Sequence, residues 1–89
     1  MEKRSKVLLA DASEEFRRLL QEAIERTDEF AVIGSVGDGA EALRLAEEQS
    51  PDLILMDIVL PGLDGMTLLR RLPEKDRPKV IFLSALYSD

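Results

Sequence analysis

The sequence predicts an α/β domain in three layers, a parallel sheet with helices on both faces. Three observations carry this reading. Four short apolar runs of strand length stand at residues 7–10, 30–36, 53–56 and 80–83. Between them lie segments with helical periodicity, and strands that alternate with helices need crossover connections, hence parallel pairing. The hydrophobic fraction, 45% of 89 residues, is that of one globular unit, so residues 1–89 are read as a single domain.

Val7-Leu8-Leu9-Ala10 is a continuous apolar run closed by Asp11, the pattern of a strand buried on both faces. Ser13 is placed to cap the next helix, with Glu14 and Glu15 in its first turn, where acids complement the dipole. Phe16, Leu19, Leu20, Ala23 and Ile24 predict an amphipathic helix over 14–27, whose stripe Phe16/Leu20/Ala23/Ile24 is expected in the core. The second strand, 30–36, is rich in β-branched residues, and Gly37-Asp38-Gly39 breaks it as a turn. That turn lacks the length and the lysine of a phosphate-binding P-loop. A second helix covers 40–49 and stops at Ser50-Pro51.

Leu53-Ile54-Leu55-Met56 is a third buried strand and again ends on an acid, Asp57. Residues 58–65 form a loop punctuated by Pro61, Gly62 and Gly65, and a short helix over 66–72 ends at Pro73. Arg70-Arg71 is expected as a solvated helix end, favoured by the negative pole of the dipole. Val80-Ile81-Phe82-Leu83 is the fourth strand and runs into Ser84. No repeat, linker or low-complexity stretch interrupts the pattern.

Composition narrows the chemistry. With no Cys and no His, disulfides, thiolate and imidazole metal sites and Ser-His-Asp triads are excluded. A net charge of −6 argues against direct binding to nucleic acid or to an anionic membrane. The basic start (MEKRSK) runs into four apolar residues, too few for a signal-peptide core, and no stretch is long enough for a membrane span. A soluble, cytoplasmic domain of marginal stability is expected.

In a doubly wound sheet, functional groups collect at the carboxyl ends of the strands. Asp11, Asp57 and Ser84 close the first, third and fourth strands. Asp11 or Asp57 alone is more readily read as the first polar residue of a loop or a helix cap; if the strands are adjacent, the three together place two carboxylates and a hydroxyl in one cleft. Such oxygen ligands suit Mg2+, which keeps several waters. A carboxylate beside that ion can attack a phosphoryl group, because the metal screens the repulsion between anions.

These residues resemble a known family. Val7-Leu8-Leu9-Ala10-Asp11 is similar to the opening strand of response-regulator receiver domains. Asp57-Ile58-Val59-Leu60-Pro61-Gly62-Leu63-Asp64-Gly65 resembles their D-x-x-x-P-x-x-D-G phosphoacceptor loop, the most specific of the matches. Val80-Ile81-Phe82-Leu83-Ser84-Ala85 resembles the strand that carries the switch hydroxyl. The wording is most similar to receivers of the sporulation master regulator of spore-forming Firmicutes. The resemblance implies a flavodoxin-like receiver fold, cut short after the fourth strand. It implies that Asp57 accepts phosphate from a histidine kinase or phosphotransfer protein. Asp11 would bind Mg2+ through water, the Val59 main-chain carbonyl would ligate it directly, and Ser84 would swing to the phosphoryl group. Gly65 would open the third helix and Pro61 would stiffen the loop.

Two departures from the family pattern stand out. Ala12 replaces the usual second acid, a direct metal ligand, so Mg2+ binding is expected to be weak. The family's last helix, strand and helix, with the lysine of the phosphoryl pocket, have no counterpart in the chain, and Lys79 stands at the wrong end of its strand to replace that lysine. Absence of a fifth strand would expose the fourth as an apolar edge and uncover the sheet face beside the first helix, so self-association through either is expected. The alternative reading is a pseudo-receiver, a binding or dimerisation module with a degraded pocket. A haloacid-dehalogenase-like phosphatase would require an acid where Val59 stands, and a flavin site would require a Ser/Thr-rich loop after the first strand.

Overall fold

The computed structural model describes residues 3–83. Four strands and three helices alternate: β1 (Ser5–Ala10), α1 (Glu14–Glu25), β2 (Phe30–Val36), α2 (Gly39–Gln49), β3 (Leu53–Asp57), α3 (Gly65–Arg71) and β4 (Lys79–Leu83). All pairings are parallel, in the order β2-β1-β3-β4. This is the three-layer parallel α/β architecture expected from the alternation, with α1 on one face of the sheet and α2 and α3 on the other. Ser84 lies outside the described residues.

The strongest core lies between the sheet and the helices α2 and α3. Leu8, Ala10, Ile54 and Met56 on the sheet meet Ala42, Ala46, Leu68 and Leu72 on the helices, all buried. Val80 and Phe82 of β4 pack against the same cluster. Helix ends follow local chemistry. The Ser13 hydroxyl accepts the Phe16 N–H at the start of α1. Asp38 and Asp64 cap α2 and α3 in the same manner. Ser50, in the left-handed region, closes α2 just before Pro51.

The opposite face differs from expectation. The stripe Phe16/Leu20/Ala23/Ile24 is not core: no residue of α1 is buried, and Phe16 and Leu19 remain 42% and 54% exposed. The less exposed positions are instead Arg17, Leu20, Gln21 and Ile24, one helical face rotated from the expected stripe. The reason is that α1 packs chiefly on β1 and β2. It shields Val7 and Leu9, but among the described residues nothing flanks it over β3 and β4. Leu53 and Leu55 are therefore only half-buried and line an apolar cleft of about 200 Å3 with Val7, Ile24 and Phe30. The third strand is thus fully buried on one face only.

One irregularity shapes the rim of the sheet. Val7 pairs with Val32 but Leu8 pairs with Gly34, so Ile33 is an extra residue in β2. An inserted residue reverses the alternation beyond it, which brings Ser35, opposite Leu9, onto the α1 face.

Candidate functional site

The two central strands deliver the two acids side by side. Ala10 of β1 is in register with Met56 of β3, so Asp11 and Asp57 follow at neighbouring positions on the carboxyl edge of the sheet. Both are half-buried. The Asp11 main-chain N–H donates to the Val36 carbonyl at 3.1 Å, and its Oδ1 accepts the Ser13 N–H at 2.8 Å. Asp57 Oδ1 accepts the Val59 N–H at 3.3 Å, a similar fold-back onto its own loop. In each acid, Oδ2 has no protein hydrogen bond among the described residues and is available to a ligand.

The loop after Asp57 is held at several points. The Gly65 N–H donates to the Ile58 carbonyl at 2.8 Å, and Leu60 is buried beneath the loop. The Gly39 N–H donates to the Pro61 carbonyl at 2.9 Å, which ties the loop to the start of α2. Gly39 must be glycine here, because a Cβ would stand 1.7 Å from the Leu63 carbonyl oxygen. Gly62 turns the loop with φ +83°, against the Asp38 side chain.

At the far end, Asp64 Oδ1 accepts the Thr67 N–H at 2.9 Å. Hydrogen bonds from the Thr67 main chain and hydroxyl, with the charge of Arg70, hold the Asp64 carboxyl below the usual carboxylate range. A depressed folded-state pKa contributes stability above the unfolded value of about 3.9. That contribution is lost only as pH falls through the lower folded value, so the cap of α3 is intact near neutrality.

The structure brings Asp11, Asp57 and the exposed Val59 to one rim. Two carboxylates and a main-chain carbonyl there would offer only hard oxygens, the donor chemistry that Mg2+ retaining several waters takes. Ala12 is exposed at the position where a further acid would add charge. Among the described residues no group of three or more acids gathers to hold a metal. Sequence reasoning treated residues 37–39 as a bare turn and missed that they seat the loop that follows Asp57. The available signal was an Asp between two glycines directly before a helix, a capping residue where chain must approach chain.

Comparisons with known proteins agree with this geometry. The family model of the response regulator receiver domain matches residues 7–89. A protein-glutamate methylesterase/protein-glutamine glutaminase of Syntrophomonas wolfei is 40% identical over 83 residues, covering 93% of this chain and 24% of that protein. The transcriptional regulatory protein LiaR of Bacillus subtilis is 41% identical over 85 residues, 94% of this chain and 40% of LiaR. The chain thus spans well under half the length of these curated relatives. Among solved structures, the signal receiver domain of NarL from Mycobacterium tuberculosis superposes with TM-score 0.87 at 28% identity, covering 98% of this chain and 71% of that one. The response regulator domain of Thermotoga maritima CheB gives 0.83 at 35% identity, with 90% and 60% covered. The finer resemblance to a sporulation regulator finds no support among these relatives. The order of the strands, the placement of Asp57 on the rim and a family match over residues 7–89 lead to one conclusion: this chain belongs to the response-regulator receiver domain family.

Proposed function

We propose that this receiver accepts a phosphoryl group on Asp57 from a phosphohistidine of a histidine kinase or phosphotransfer protein. The observation that carries the reading is the juxtaposition of Asp57 and Asp11 on neighbouring strands, each with one carboxylate oxygen unengaged. An Asp57 oxygen attacks phosphorus, the P–N bond of the donor breaks, and the imidazole leaves with the electron pair and takes up a proton. Asp11, Asp57 and the Val59 carbonyl would hold Mg2+, which when bound screens the repulsion between carboxylate and phosphoryl oxygens. Ser84 would be the hydroxyl that reports the phosphoryl group to the rest of the domain.

Incubation with acetyl phosphate and Mg2+ followed by intact-mass measurement tests this. One added phosphoryl group, removed by hydroxylamine as an acyl phosphate should be, supports the proposal. No mass gain, or a hydroxylamine-stable one, overturns it.

The metal can be probed separately. Ala12→Asp, at an exposed position, is expected to strengthen Mg2+ binding about tenfold by adding a carboxylate to a site with few. Amide-shift titrations with Mg2+ that give equal affinity in the two proteins would count against this site.

The edge of β4 is proposed as a contact with a second copy of the chain. β4 is the outer strand among the described residues, and Ile81 is 50% exposed beside Leu55 on the sheet face that α1 leaves open. Residues 80–83 carry no charge or proline to discourage edge pairing. Two copies of one strand pair self-complementarily about a two-fold axis. Ile81→Glu is expected to leave the fold intact and shift sedimentation toward the single chain. A wild-type protein that sediments as a monomer at high concentration would defeat this expectation.

A further inference from the structure

Helix α1 turns an arginine toward the sheet where an apolar residue was expected. Arg17 is half-buried and heads the face that continues through Leu20, Gln21 and Ile24. At that end of the sheet stand the Ser35 hydroxyl and the main-chain carbonyl of Asp11, just past β1, and such polar groups must be satisfied. Arg17 Nη1 donates to the carbonyl of Asp11, and Nε donates to Ser35 Oγ at 2.9 Å. Among the described residues no carboxylate pairs with it, so the guanidinium is engaged by neutral oxygens. Gly37 leaves it the space, since a Cβ there would lie 3.2 Å from Nη1. Ser35 reaches it only because the extra residue Ile33 reverses the alternation of β2.

The acid it grips is the one at the candidate site. Asp11 is thereby held three ways: by Val36 through its N–H, by Arg17 through its carbonyl and by Ser13 through Oδ1. We infer that Arg17 is a positioning residue, which clamps the Asp11 main chain against β2 so that the Asp11 carboxylate is set for a divalent cation. This rests on the reading of Asp57 as phosphoacceptor, and extends it to a residue that touches neither metal nor phosphoryl group. With Ala12 contributing no ligand, the placement of Asp11 carries more of the metal affinity than it would in a richer site.

The experiment compares wild type with Arg17→Lys and Ser35→Ala. Arg17→Lys keeps the charge and stem but not the fork; Ser35→Ala removes one anchor and leaves the arginine. Mg2+ alone is titrated by amide chemical shifts, with the thermal midpoint measured in parallel. Groups that orient a metal ligand typically alter affinity by about 10- to 100-fold when removed. Arg17→Lys is therefore expected to weaken Mg2+ about tenfold, Ser35→Ala by less, with each thermal midpoint near that of wild type. Phosphorylation by acetyl phosphate should recover in both variants at high Mg2+. Unchanged Mg2+ affinity in Arg17→Lys, with wild type binding Mg2+ and taking up phosphate, overturns the positioning role alone. A wild type that does neither overturns the phosphoacceptor reading, and the role of Arg17 falls with it.

Discussion

Gly39→Ala is expected to destabilise the domain by about 3 kcal/mol, at the upper end of the usual cost of overpacking. The new Cβ would lie 1.7 Å from the Leu63 carbonyl oxygen and 2.6 Å from its carbon. Both are main-chain atoms, so no rotamer change relieves the overlap, and either α2 or the loop after Asp57 must move. Movement would also break the bond from the Gly39 N–H to the Pro61 carbonyl. For a domain of this size the loss corresponds to a fall in Tm of about 12–24 °C. Leu68→Ala is the matched control, because Leu68 is fully buried yet belongs to α3 and its core. Truncating a core leucine costs a similar ~2–5 kcal/mol by leaving a cavity. At equal loss of stability, and at a temperature where both variants are folded, Gly39→Ala should show the slower phosphorylation by acetyl phosphate, since it displaces the loop that follows Asp57. A Gly39→Ala protein with the wild-type Tm would refute the close approach.

Asp57→Asn is expected to abolish phosphoryl uptake while leaving the fold nearly unchanged. The amide is close to isosteric, and its oxygen can still accept the Val59 N–H that Asp57 Oδ1 accepts at 3.3 Å. Stability should stay within about 1 kcal/mol, because one half-buried hydrogen bond to a charged acceptor becomes a neutral one. What disappears is the proposed nucleophile, since an amide oxygen lacks the negative charge and forms no stable acyl phosphate. Loss of one formal charge should also weaken Mg2+, leaving Asp11 as the remaining carboxylate on the rim. Intact mass after acetyl phosphate and Mg2+ gives the first readout, and amide-shift titration the second. Phosphate uptake by Asp57→Asn equal to that of wild type would place the acceptor elsewhere.

Much of this domain was legible in the sequence because its signals are local. Apolar runs ending on Asp11 and Asp57 specified strands and their functional ends, since side chains beyond a buried strand meet solvent. Ser13, Pro51 and Gly65 marked boundaries through capping and backbone restriction, which involve only a few neighbouring residues. The loop after Asp57 was legible as a turn from its proline and glycines, and its resemblance to the receiver pattern rested on the spacing of those residues with the acids.

What the tertiary structure alone decided concerns faces and approaches between distant segments. Helical periodicity showed that α1 is amphipathic but not which residues would be covered, because coverage depends on neighbours. With α1 packed chiefly on β1 and β2, Phe16 stays exposed and Arg17 turns inward. The reversal at Ile33 is equally invisible locally, since β2 reads as an uninterrupted strand and the extra residue exists only relative to the register of β1. Gly39 resembles any turn glycine until the loop of β3 is laid across it. The sequence by itself therefore determined the elements, their parallel pairing and the two acids at strand ends, through propensity and pattern. The packing of segments far apart in the chain decided how those acids are held, because a hydrogen bond such as Arg17 to Asp11, or a contact such as Gly39 to Leu63, exists only once the sheet has fixed the distances.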